Sequence, residues 1–146
     1  MLTQQEIDRR VARAEELFAR GFNCSQAVVA ACADLYGVDS DIALRVSASF
    51  GGGIARMRYT CGAACGMFIL AGLEKGNTQP DQPQRKLPNY EFVRSLADDF
   101  RQRHGSLVCA ELLGLNGESP KQKMPCKKMI GEAVRQYLEK VKAENK

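Results

Sequence analysis

The run Cys61-Gly62-Ala63-Ala64-Cys65-Gly66-Met67-Phe68-Ile69-Leu70-Ala71-Gly72-Leu73-Glu74-Lys75 decides the fold. Read as a helix, it places Ala63, Met67, Phe68, Ile69, Leu70 and Leu73 on most of its sides. A helix apolar nearly all round is the buried centre of its domain. Thr60 stands where a residue caps the start, and Gly76 where one stops the end. The flanking sequence must then supply amphipathic helices to cover it.

Upstream, Thr3 and Glu6 form a capping box. Ile7, Val11, Ala14, Leu17 and Phe18 follow at helical spacing, and Gly21 is a left-handed stop. Asn23 caps a second helix, expected over Cys24–Tyr36 and ended by Gly37. Asp39 or Ser40 caps a short third through Ile42, Leu44 and Val46. Gly51-Gly52-Gly53 then breaks any helix.

Downstream, Asn77–Pro88 reads as a polar, proline-rich surface loop. Asn89 is expected to cap a fifth helix, with Phe92, Val93, Leu96 and Phe100 on its apolar face and its end near Gly105. Ser106 caps a short sixth, Leu107–Leu113, before Gly114. Pro125 suits the first position of the last helix, whose apolar face carries Met129, Ala133, Tyr137 and Val141.

No alternating strand and no internal repeat is visible. The expected fold class is all-α: one compact bundle of about six or seven helices in a single domain over residues 1–146. A chain of 146 residues buries roughly 70% of its unfolded surface, so it needs no disulfide or metal merely to hold a core. With 45% apolar and 26% charged residues, intrinsic disorder and low-complexity structure are excluded.

The net charge of +4 is concentrated at one end: residues 121–146 hold seven Lys and one Arg against three Glu. Tyr137 is the only aromatic residue there, which argues against base stacking; the charge reads as a solvated helix face rather than a nucleic-acid surface. The polar N-terminus lacks a signal core, and the longest apolar runs are too short to span a bilayer. The expected location is cytoplasmic.

In a reducing compartment the six cysteines Cys24, Cys32, Cys61, Cys65, Cys109 and Cys126 do not read as a disulfide framework. No Cys-x-x-Cys is present, so thioredoxin-type, c-type haem and zinc-ribbon signatures are all missing. Cys24, Cys61 and Cys126 each fall in the first turn of an expected helix. Free N–H groups and the positive helix end favour a thiolate there. Arg56 and Arg58 precede Cys61, while Lys123, Lys127 and Lys128 surround Cys126. Cys61 is accordingly expected to be the most acidic thiol. Cys65 lies one turn after Cys61 as a secondary candidate, a resolving thiol or second ligand. Cys32, in an alanine-rich run, reads as packing. His104 fits a helix C-terminus at least as well as an acid–base partner, and the glycine triplet fits a turn better than an anion nest.

The strings Gly21-Phe22-Asn23-Cys24-Ser25-Gln26-Ala27-Val28, Phe50-Gly51-Gly52-Gly53 and Cys61-Gly62-Ala63-Ala64-Cys65-Gly66, with Gly105-Ser106, Cys109 and Cys126, together resemble the C_GCAxxG_C_C family of small proteins described as redox-active. The resemblance runs over almost the whole chain. It implies that Cys24, Cys61, Cys109 and Cys126 are the four signature positions, with Cys65 at a variable one and Cys32 outside the pattern. The family's redox label is itself an inference from its cysteines, so the resemblance implies a class and not a reaction.

Two functional classes follow. In one, the four cysteines cycle between dithiol and disulfide with an unknown electron donor or acceptor, as in a thiol oxidoreductase. In the other, the same four bind a metal, either an iron–sulfur cluster or zinc. A helical scaffold with inert cysteines stands as a third reading, and a homodimer stays open. Both chemical readings require Cys24, Cys61, Cys109 and Cys126 to converge in space.

Overall fold

The computed structural model describes residues 2–145. Among these it contains seven α-helices, three short 3-10 turns and no strand longer than an isolated bridge. The all-α class is as the sequence implies. The helices are α1 Gln4–Ala19, α2 Cys24–Ala30, α3 Ser40–Ser47, α4 Gly62–Lys75, α5 Leu87–His104, α6 Cys109–Leu113 and α7 Cys126–Glu144. No helix among the described residues is long and apolar enough to cross a membrane.

α4 is the centre. Its residues Gly62 through Met67, with Leu70 and Ala71, are buried, and α2, α5 and α7 pack around it. Leu73 is an exception to its all-round burial, at 42% exposed. The crossing with α2 is close because Gly66 has no side chain: a Cβ there would stand 2.8 Å from that of Val28. α1 lies along α7, with Ile7, Ala14 and Leu17 turned inward. Two hydrogen bonds tie α7 to α4 and to α5. Tyr137 donates to the Leu70 carbonyl at 2.9 Å, and Gln136 Nε2 donates to that of Leu96 at 2.9 Å.

Several helix ends depart from expectation. Thr3 accepts from the Glu6 amide, but the Glu6 carboxylate turns to Arg10, so only half the capping box forms. The full box belongs instead to Asn23 and Gln26 at α2. α2 stops at Ala30 rather than running to Tyr36. Arg10 donates to the Ala31 carbonyl at 3.0 Å and pairs with Asp34 at 2.6 Å, which satisfies an orphan acceptor and lets the chain turn into a 3-10 segment, Ala33–Tyr36.

Asn89 does not cap α5. The helix begins two residues earlier, with Pro88 in its first turn, where a missing N–H is harmless. The expected loop Asn77–Pro88 also contains a 3-10 turn, Pro83–Lys86. Pro125 occupies the cap position of α7, one residue earlier than expected.

Candidate functional site

Four chain segments deliver the signature cysteines to one place. Cys24 is the first residue of α2, Cys109 of α6 and Cys126 of α7, while Cys61 is the cap residue of α4. All four line a single cavity of about 430 Å³. Its lining also includes apolar Phe22, Met129 and Ile130 and polar Arg56, Arg58 and Gln122.

The approach of Cys61 and Cys109 is made by backbone. Thr60 and Val108 form an isolated antiparallel bridge. Around it the Cys61 amide donates to the Leu107 carbonyl at 2.7 Å, and the Cys109 amide to that of Tyr59 at 2.6 Å. Thr60 is thus held in an extended pairing and does not cap α4. Ser106 accepts from the Val108 amide and donates to Glu111, which shortens α6 to five residues beginning at Cys109.

The loop before Thr60 is unusual. Gly52, Gly53, Ile54, Ala55, Arg56 and Arg58 all have φ between 50° and 74°. For an L-residue a left-handed backbone costs roughly 1–2 kcal/mol, and a β-branched residue such as Ile54 adopts it least readily. Backbone bonds hold the turn, among them Arg56 N–H to the Gly51 carbonyl at 3.0 Å and Tyr59 N–H to that of Gly53 at 2.9 Å. Such strain concentrates at functional sites. Here it brings the Arg58 guanidinium to 3.7 Å from the Cys109 sulfur. The glycine triplet is therefore a turn and a close-packing device: a Cβ on Gly53 would meet that of Cys109 at 2.6 Å. Gly62 serves the same purpose, because a side chain there would collide with the Cys24 sulfur.

Exposure sorts the thiols. Cys126 is exposed, Cys24 half-buried, and Cys61 and Cys109 buried. Burial pushes the Cys61 thiol up to about 12, against the opposing pull of the Ala64 and Ala63 amides. The expectation that Cys61 is the most acidic thiol is thus reversed in direction, since desolvation outweighs the helix start. Partial desolvation by its surroundings also raises Cys126. The sulfurs sense one another: negative charge on Cys24 raises Cys61, Cys65 and Cys126, and charge on Cys109 raises Cys61 and Cys126.

The other candidates stand apart. Cys65 does not line the cavity; its sulfur points to the Thr60 carbonyl at 3.8 Å, and burial raises it to about 11. Cys32 is fully buried near Arg10 and Asp34, and burial raises it to about 12. His104 ends α5, buried 4.5 Å from the Phe100 ring. Among the described residues, no group of three or more His, Cys, Asp or Glu side chains stands close enough to hold a metal ion. The four thiols meet as walls of a cavity, not as a ready ligand set.

Three features escaped the sequence reading: the left-handed turn, the contact of Arg58 with Cys109, and Cys109 as a helix start. The two arginines were visible beside Cys61, but nothing in their spacing showed that Arg58 reaches a cysteine 51 residues away.

Residues 22–140 match the family described as "Putative redox-active protein (C_GCAxxG_C_C)". No curated protein and no solved structure matches the chain.

Proposed function

The chain belongs to the C_GCAxxG_C_C family, described as "Putative redox-active protein", and on that premise we propose that it is a dithiol–disulfide electron carrier using Cys24, Cys61, Cys109 and Cys126. One observation carries this reading: four cysteines from four separate elements line one cavity open to solvent at Cys126. Thiol exchange requires an accessible sulfur and a second sulfur able to reach it. Cys126 is the accessible one. Cys24, half-buried in the wall of the same cavity, is the second. Cys61 and Cys109 lie behind them, clamped together by the pairing around Thr60 and Val108.

In this mechanism Cys126 meets the electron partner and exchanges first. Cys24 then closes onto Cys126, leaving a disulfide and two reducing equivalents passed on. A disulfide needs Cα atoms about 4.4–6.8 Å apart. Cys126 starts α7 directly after residues 114–125, which form no regular helix.

The test is an anaerobic redox titration with alkylation and peptide mapping. The first disulfide to form is expected to join Cys24 and Cys126. Cys24→Ser and Cys126→Ser are expected to abolish the first two-electron transition, and Cys61→Ser to keep it. No reversible transition in the native protein, or one unaffected by any of the four substitutions, overturns the reading.

A further inference from the structure

The cavity holds a second kind of chemistry besides its sulfurs. Among the described residues, no Asp or Glu lines it, and the only formal charges on its wall are Arg56 and Arg58. Neither arginine makes an ion pair with a carboxylate among the described residues. Both are carried by the strained left-handed turn, which fixes the backbone beneath them. A guanidinium presents its donors in a planar fork that matches a carboxylate. Phe22, Met129 and Ile130 supply apolar surface to the same cavity. A volume of about 430 Å³ lies within the range of small-molecule sites.

We infer that the cavity takes a small organic disulfide bearing a carboxylate, with the carboxylate between Arg56 and Arg58 and the sulfurs at Cys126 and Cys24. The inference rests on the dithiol reading above and names the substrate class for it. The step balances without further reagents. The Cys126 thiolate attacks one sulfur of the substrate, R–S–S–R, forming a Cys126–S–S–R bond and expelling R–S⁻. The Cys24 thiolate then attacks the Cys126 sulfur, forming the Cys24–Cys126 disulfide and expelling the second R–S⁻. The two protons lost by the cysteines end on the two released thiols. The protein is oxidised by two electrons and the substrate is reduced by two.

Three disulfides with the same two-methylene arms separate charge from sulfur chemistry: 3,3′-dithiodipropionate, bis(2-hydroxyethyl) disulfide and cystamine, which are anionic, neutral and cationic. Each is mixed anaerobically with fully reduced protein, and released small thiol is followed with time. The anionic probe is expected to react fastest and the cationic one slowest, with roughly tenfold or more between them, the scale of a lost charge-assisted hydrogen bond. Added salt should narrow the spread. Arg56→Gln with Arg58→Gln should collapse the order, and Arg56→Lys with Arg58→Lys should keep it. Equal rates, or cystamine fastest in the native protein, overturn the substrate class while leaving the dithiol reading standing. Release of thiol from none of the three overturns the dithiol reading itself.

Discussion

At the scale of single residues, burial decides which cysteine can react. Cys61 sits at the start of α4, where the helix end favours an anion by about 0.3–1 kcal/mol. Desolvation acts the other way and wins, leaving the thiol near 12. Iodoacetamide labelling of the native, reduced protein at mildly alkaline pH should therefore modify Cys126 first, with Cys32 and Cys61 modified only on unfolding. Labelling of Cys61 ahead of Cys126 would contradict this order. His104 gives a second residue-scale prediction. Its ring is 1% exposed, and neither ring nitrogen has a hydrogen-bond partner. Burial, with Arg103 and Lys123 adding to it and Glu132 opposing, holds its pKa below the usual imidazole value of 6.5. Between the lowered folded value and 6.5 the unfolded chain binds the extra proton, so stability falls as pH drops through this window and recovers as pH rises above it. Urea midpoints measured across mildly acidic pH should show that slope, and His104→Leu should flatten it. An unchanged slope in the variant would assign it to other groups.

At the scale of elements, the left-handed turn is the most testable part of the site. Ala55 is exposed at φ 50°, so it incurs the left-handed cost without a buried contact to repay it. Ala55→Gly should stabilise the protein by up to about 1 kcal/mol, the backbone relief being partly offset by the greater freedom of glycine in the unfolded chain. Gly53→Ala should do the opposite by more, because it adds strain at φ 74° and a clash with Cys109. Chemical denaturation of both variants checks the pair, and destabilisation by Ala55→Gly would remove the strain argument. This turn also marks where the sequence stops being legible. Helices α1, α4, α5 and α7 were readable because each repeats apolar residues over several turns. The convergence of the cysteines was expected from their signature pattern, but its cause was not. The Thr60–Val108 bridge joins residues 48 positions apart with no alternating pattern on either side, and the five-residue α6 is too short to show a period. Long-range pairing of short segments is fixed by the packed helices around it, and it leaves no local trace. The Asn89 cap failed for the related reason that a proline one residue earlier already served the helix start.

At the scale of the whole molecule, the proposed disulfide links distant parts of the chain. Cys24 follows the first helix and Cys126 opens the last, and α1 and α7 pack along each other. Closing a loop of about 100 residues removes much of the freedom of the unfolded chain, and such crosslinks stabilise by typically 2–4 kcal/mol once native strain is subtracted. For a chain of this size each kcal/mol raises Tm by about 2–4 °C. The oxidised protein should therefore melt higher than the reduced one, by roughly 5–15 °C on those figures, and Cys126→Ser should abolish the difference. The metal reading makes a contrary demand. Four thiolate ligands would stabilise the reduced, loaded form, and a chelator would lower its Tm, because metal affinity adds to native-state stability. The packed core runs from Ile7 on α1 to Val141 on α7, and a chain of this size buries enough surface to hold a core without such a ligand. Anaerobic melts of the reduced protein with and without chelator should thus coincide, while oxidation shifts them upward. A chelator-sensitive melt with no rise on oxidation would reverse the order of the two readings, because the same four cysteines would then hold a metal between them.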